Sequence, residues 1–443
     1  MEGFKITIYP KINHFTYLID VLIIFLNISN TYTIIPFLLF TRMLSVNSGI
    51  IFLINIVYLL LRFKGKINLP SINDKLLYIY VIICSLNFIF SFYTQTFILG
   101  FVPLVLVSIS FYILLLNLFI DYKKKYDFFV STNLIIKGYI WLCIYAISIV
   151  LFFLILIEVF NFNPQFNNVN SESFDIIKDN TTRTTSVYYF PYNLSLIITN
   201  SIHRLPFFHS KGTITSIFHE PHTMTFVVFP SFFLLFYLIK QRLKRIFLVI
   251  VFLIFLLAAA STMNIFAFLL TILIGLMIKY KKISLIIFSI FISVCLYLYT
   301  SSLPIVDLIK FKISSGSSSY SLSTLKFAFT PITLFGTNFF DISYAKHSGV
   351  ISSENNVGFI LFFLNIFFLI LFIYQILYLL FSKTKYSFFV GLFASYFFIH
   401  SVKLTMTTYS LTFLIFVIFI VSTFYCEIKS TKSMVLHNIE NSQ

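Results

Sequence analysis

The feature that most constrains this chain is a succession of apolar runs, each close to the roughly 20 residues that cross the hydrocarbon of a bilayer. About twelve can be traced, at roughly 16–40, 48–62, 76–94, 97–120, 134–158, 222–240, 244–260, 263–279, 283–302, 355–381, 385–402 and 406–426. In the first, the stretch "NISNT" (27–31) intrudes, so that run reads either as one span or as two short or re-entrant pieces. Charged residues make up 10% of the chain and hydrophobic ones 59%, whereas soluble domains are roughly one-quarter charged. The expected fold is all-α: a polytopic membrane helix bundle of about 12 transmembrane helices with two large extracytoplasmic loops. No small-residue cleavage site follows the first apolar run, so no cleaved signal peptide is expected.

The formal net charge of +16 does not point to nucleic acid, because most Lys and Arg fall in short clusters between apolar runs rather than on a soluble face. Arg62, Lys64, Lys66 and Lys75 form one cluster and Lys123–Lys125 another. They are followed by Lys240, Arg242, Lys244 and Arg245, then Lys279, Lys281 and Lys282, then Lys383 and Lys385, then Lys429 and Lys432. These alternate with connections nearly free of positive charge, such as 94–97 and 260–262. The positive-inside rule then puts the clustered side and both termini in the cytoplasm. The chain divides into N-terminal spans (1–158), a first outer loop (159–221), a second group of spans (222–302), a second outer loop (303–354), and the last spans with a short cytoplasmic tail (355–443). Loops of that length are usually functional or disordered. Cys84, Cys143, Cys295 and Cys426 all lie within or at the end of apolar runs, which supports packing rather than a disulfide framework or a cysteine metal site.

Chemistry gathers in the outer loops. His203, His209, His219 and His222 fall in or at the edge of the first and His347 in the second, with Glu172, Asp175, Asp179, Glu220, Asp307, Asp341 and Glu354 beside them. The densest group is "SIFHEPHT" (216–223), where Glu220 stands between two histidines and ahead of Pro221, at the mouth of an apolar run. Three readings are open. Proline suits the first turn of a helix and a carboxylate complements its positive end, so Glu220 serves as a cap. A carboxylate flanked by His219 and His222, with Arg204 and Lys211 upstream, also suits a general base or a sugar-hydroxyl ligand, at a helix start that attracts anions. His219 and His222 at i and i+3 suggest a metal, but a third ligand and the spacing of zinc proteases are lacking, so no metal and no cofactor are expected.

At this point the sequence resembles a family. The segments "SIFHEPHTMTFVVFP" (216–230), "STMNIFAFLLTILIGL" (261–276), "PITLFGTNFFD" (331–341) and "SENNVGFILFFLNIFF" (353–368), set among about a dozen spans, look like the repeat-unit polymerases of bacterial surface polysaccharides. That group makes O-antigen and capsule and is related to the O-antigen ligases. The likeness covers roughly residues 180–380, and rests on Phe-x-Glu-Pro before one span and Gly-x-x-Phe then Asn before another. It implies a metal-independent inverting glycosyltransferase in the bacterial cytoplasmic membrane. Such an enzyme joins undecaprenyl-diphosphate-linked repeat units on the outer face, alongside a flippase and a chain-length regulator. Carried over, Glu220 matches the motif's glutamate, Pro221 its helix-opening proline, and Gly336 and Asn355 the second-loop positions. Where the family pattern has a basic residue before the motif, 213–217 reads "TITSI", and "SSGSSSYS" stands where an arginine is common in the second loop. Arg183, Arg204, Lys211, Lys312 and Lys326 are the substitutes for holding the diphosphate.

Cleaving an anomeric carbon–phosphate bond builds charge on the leaving diphosphate, which cations and a helix N-terminus stabilise. The attacking hydroxyl needs a base, for which Glu220, His219, His222 and His347 are the candidates. The rivals are an O-antigen ligase, with similar donor chemistry and a lipid A core as acceptor, and a flippase or transporter for the lipid-linked glycan. Transporters place charges within spans. Here few charges are deep: Lys137 and Glu158 lie near span ends, and Asp20 sits in the interrupted first run.

Overall fold

A computed structural model of the chain describes residues 13–30, 33, 35, 39–40, 44–69, 79, 82, 101–161, 167–169, 186–189, 196–199, 213–218, 221–258, 262–280, 358–382, 384–401 and 411–440. These are mostly helical: α1 (His14–Ser29), α2 (Leu44–Phe63), α3 (Phe101–Lys125), α4 (Phe128–Glu158), α5 (Pro221–Val228), α6 (Ser231–Leu238), α7 (Arg242–Ala258), α8 (Thr262–Lys279), α9 (Gly358–Leu380), α10 (Lys385–Ser401) and α11 (Leu411–Glu440). Among the described residues four helices carry windows long and apolar enough to cross a membrane: Val46–Phe63, Val105–Lys125, Phe128–Glu158 and Thr412–Ser430. The expected span 283–302, nearly all of 76–94 and the whole of the second outer loop lie outside the described residues.

Local sequence sets the helix ends. The Asn13 side chain accepts from the Phe15 and Thr16 amides at 3.2 and 3.4 Å, and the Asp127 carboxylate accepts from the Val130 amide at 2.7 Å, so both helices start on a side-chain cap. Helix α3 ends on Lys123, Lys124 and Lys125, cations at the negative end of its dipole. Helix α2 stops where Lys64 and Gly65 take positive φ (51° and 75°), letting the Gly65 amide reach back to the Leu60 carbonyl at 3.2 Å. That is the left-handed stop that glycine favours.

Helices α3, α4, α10 and α11 form the middle of the bundle. Helix α1 lies along α4, α2 along α3, and α9 pairs with α10, while α4 also meets α5, α6 and α7. The core is aromatic: the Tyr139 ring packs on Phe393, Phe413 and Phe416, and Phe229 on Phe255, Phe268 and Tyr396. Outside, large apolar side chains remain exposed in stripes. On α4 Trp141, Ile144, Phe152 and Ile155 face outward while Leu142, Cys143, Ala146 and Val150 are buried. A helix apolar all round suits lipid rather than water.

Helix α1 crosses α4 at Gly138, where an added Cβ would sit 2.7 Å from Ile24 Cγ2 and 3.2 Å from the Val21 carbonyl oxygen. Gly138→Ala is therefore expected to destabilise the protein by about 1–3 kcal/mol, the usual cost of overpacking, with Ile24→Ala in the same chain restoring part of it. Gly49→Ala meets nothing within 4 Å and serves as the control. Thermal unfolding of the three proteins in detergent checks this; equal midpoints for Gly138→Ala and Gly49→Ala would contradict the close crossing.

Of the two readings open for 16–40, the interrupted one is found: α1 ends at Ser29, and Thr33 is bridged to Phe218. Two sequence expectations are corrected. The run 222–240 is two helices, α5 and α6, parted at Phe229 and Pro230. Pro230 brings no N–H for the Phe226 carbonyl, which breaks the ladder. Finally, the first outer loop is not all loop and the fold not purely α. Strands β1 (Asn167–Val169), β2 (Ser186–Tyr189), β3 (Leu196–Thr199) and β4 (Thr213–Ser216) form an antiparallel sheet in the order β1-β2-β3-β4, with an irregularity at Leu196/Ile197. The strand segments "SVYY", "LIIT" and "TITS" carry the β-branched and aromatic residues that pleated strands favour.

Candidate functional site

Strand β4 leads directly into the motif. Ile214, Thr215, Ser216, Ile217 and Phe218 are all buried, and β4 packs on α4 and α5. Ser216 takes a positive φ of 55°, and the Phe218 amide turns back to the Thr215 carbonyl at 3.0 Å. This tight reversal brings Phe218 against Thr33.

The partner strand segment is itself anchored. Thr33 Oγ1 donates to the Ser29 carbonyl at 2.8 Å, and Asn30 Nδ2 to Ser48 Oγ at 3.1 Å. One helical turn further in, Asn27 and Asn55 exchange reciprocal amide bonds at 2.8 Å, and Asn55 Nδ2 also donates to Ser110 Oγ at 3.0 Å. Buried amides satisfied in this way hold α1, α2 and α3 in one register. The "NISNT" interruption is thus the polar seam that ties the broken first run to its neighbours.

On the other side of the motif, Pro221 opens α5, as proline favours the first helical turn. From Thr223 to Val228 every side chain is buried, so α5 enters the bundle at once. Around the break at Pro230, side chains bond to the carbonyls of α5, including that of Thr225, which also keeps the Phe229 amide at 3.0 Å. Tyr139 Oη donates to the Val227 carbonyl at 2.6 Å, with Cys143 Sγ 3.8 Å from the same oxygen. Tyr396 Oη donates to the Thr225 carbonyl at 3.1 Å, and Ser231 Oγ to that of Val228 at 2.6 Å.

His219 and Glu220 lie outside the described residues, between Phe218 and Pro221; His222 is the second residue of α5 and is described by its backbone alone. His347, Arg183, Arg204, Lys211, Lys326, Gly336 and Asn355, with Lys312, lie outside the described residues. What the structure brings together is the two flanks of the motif.

The sequence reading missed the tyrosines on α4 and α10. A signal was present, since a proline inside an apolar run frees carbonyls and a tyrosine inside a span must find a partner for its hydroxyl. Cys143, read as a packing residue, is buried as expected, while Cys426 is exposed.

A second polar group was also underestimated. Asp20 is 1% exposed, accepts from the Tyr58 and Tyr122 hydroxyls, and lies 3.5 Å from Arg62 Nε. Arg62 in turn donates to Asp121 Oδ2 at 2.9 Å, which also pairs with Lys125 at 3.0 Å. This group sits at the end of the bundle that carries the basic clusters, as does the Lys123–Glu427 pair at 2.8 Å.

No protein-family model matches the chain, and no similar curated protein or solved structure was found.

Proposed function

We propose that this chain is a repeat-unit polymerase, an inverting glycosyltransferase that joins undecaprenyl-diphosphate-linked oligosaccharides at the outer face of the bacterial cytoplasmic membrane. The observation that supports the reading is what flanks the Phe-x-Glu-Pro motif: β4 runs up to a buried Phe218, and Pro221 opens the half-helix α5. Thr33 bridges Phe218, and Tyr139 and Tyr396 bond α5. Anchored flanks suit glycosyl transfer, in which a base must be held firmly where a lipid-borne diphosphate meets water.

In the proposed reaction, the terminal hydroxyl of the acceptor repeat unit attacks the anomeric carbon of the donor chain. The new C–O bond forms as the bond to the phosphate oxygen breaks on the opposite side, which inverts the centre. Glu220 takes the hydroxyl proton, with His219, His222 and His347 as the other bases within the two loops. The electron pair leaves with undecaprenyl diphosphate, whose charge Arg183, Arg204, Lys211 and Lys326 neutralise, aided by the orphan amides at the start of α5. Gly336 and Asn355, the second-loop positions carried over from the resemblance, bind the substrate. The basic clusters face the cytoplasm and the sheet faces outward. The flippase and chain-length regulator of the same pathway are its partners.

Purified protein given lipid-linked repeat units in excess EDTA is expected to make a polymer ladder, because the sequence offers no ligand set at metal-binding spacing. Loss of polymer in EDTA with rescue by a divalent ion would turn the reading toward a His219/His222 metal centre.

The buried Asp20–Arg62 pair favours a second reading, a transporter of the lipid-linked glycan, since ionisable groups within spans mark transport paths. Both oxygens of Asp20 are engaged, however, and the group lies at the basic end of the bundle, away from the motif.

A further inference from the structure

We infer that Tyr139 and Tyr396 are positioning residues for the Glu220 site, holding the half-helix that starts one residue after the glutamate at a fixed depth and rotation. This inference rests on the polymerase reading.

Two helices that are distant in sequence reach the same short helix. Tyr139 comes from α4 and takes the Val227 carbonyl; Tyr396 comes from α10 and takes the Thr225 carbonyl. Both tyrosines are fully buried. Their rings are locked, Tyr139 against Phe393, Phe413 and Phe416, and Tyr396 against Phe229 and Phe268. A hydroxyl on a ring with no freedom to turn fixes the carbonyl it meets.

An ordinary transmembrane helix gets its depth and rotation from its whole length. Helix α5 has eight residues, and its backbone ladder to α6 is interrupted at Pro230, which brings no N–H. Beside the packing of its buried side chains, lateral bonds therefore carry more of its setting than in an unbroken span. Carbonyls two residues apart point to different sides of a helix, so bonds to Thr225 and Val227 restrain rotation as well as depth. At the other end of the motif the Thr33–Phe218 bridge fixes the approach of the chain. The described chain on both sides of the motif, at Phe218 and in α5, is therefore anchored. The two hydroxyls act through α5 and not on the substrate.

The test replaces hydroxyls and keeps rings. Tyr139→Phe, Tyr396→Phe and the double variant, as full-length protein in lipid nanodiscs, are compared for kcat, KM for lipid-linked repeat units, and thermal midpoint, with Glu220→Gln alongside. Misplacement of a base by a fraction of an ångström predicts kcat lower by about 10-fold in each single variant and about 100-fold in the double, with KM and the amount of folded protein unchanged. Tyr396→Phe is the milder variant, because the Thr225 carbonyl keeps the Phe229 amide at 3.0 Å, and it is the arm expected to hold a normal amount of folded protein. Full kcat in both single variants beside an inactive Glu220→Gln would overturn the positioning role and leave the polymerase standing. So would a loss of activity matched by an equal loss of folded protein. An active Glu220→Gln would remove the polymerase reading itself, and the inference with it.

Discussion

Cells whose only copy carries Glu220→Gln are expected to display single repeat units in place of long polymer, at a normal level of the protein in the membrane. The substitution keeps the size of the side chain and most of its hydrogen bonding while removing its charge and its basicity, so it separates the roles open to Glu220. As a cap or a partner of the α5 dipole, the carboxylate is worth about 0.3–1 kcal/mol. That is little for a half-helix already held by Tyr139, Tyr396 and Ser231, so a capping role alone predicts normal polymer. As the general base, it accounts for about 100- to 10,000-fold in rate. Chain extension repeats the same step many times, and a loss of that size at each step leaves almost no long product. A ladder of polymer of normal length and amount from Glu220→Gln, at equal membrane level, would end the catalytic reading of the motif.

What the sequence shows and hides follows from the range of the forces involved. Helix type and most boundaries are local properties. The expected spans 48–62 and 134–158 are found as Leu44–Phe63, which ends at a left-handed stop, and Phe128–Glu158, which starts at the Asp127 cap, while 385–402 is found as the shorter apolar helix Lys385–Ser401. The two broken runs carried local warnings. "NISNT" was read as an interruption, but Pro230 was passed over because the residues around it are so uniformly apolar. The sheet was hidden for the opposite reason. Three- and four-residue strands in a polar loop gain their stability from pairing with each other and from the packing of β4 on α4, neither of which one strand's own sequence reveals. At the motif, the residue types suggested the proposed chemistry, and what the structure adds is the setting of its flanks at Phe218 and Pro221. The supports did not announce themselves: Thr33 is 185 residues before Phe218, and Tyr396 is 171 residues after Thr225, so only the folded chain puts them together.

The same distance in sequence conceals the charged group at the other end of the bundle, and it leads to the second large effect. Arg62→Leu is expected to lower stability by about 3–5 kcal/mol, the cost of leaving a buried charge without its partner. Asp20 is 1% exposed and keeps only the Tyr58 and Tyr122 hydroxyls, while Asp121 falls back on Lys125. The Arg62 side chain is 17% exposed, which places the effect toward the lower end of that range. Such a loss, read as protein level in the membrane and as thermal midpoint in detergent, is a large fraction of the stability of most folded domains. Asp20→Asn alone is milder, because its amide oxygen still accepts from a tyrosine and Arg62 keeps Asp121 at 2.9 Å. Asp20→Asn combined with Arg62→Leu removes both charges of the pair, and recovers most of what Arg62→Leu loses. A normal midpoint for Arg62→Leu would show that the pair contributes nothing. The recovered double variant also decides between the two functional readings. If the pair only ties α1, α2 and α3 together, the folded double variant polymerises lipid-linked repeat units at close to the normal rate. If it folds and no longer acts, the charges themselves take part in function, and the transporter reading gains what the polymerase reading loses.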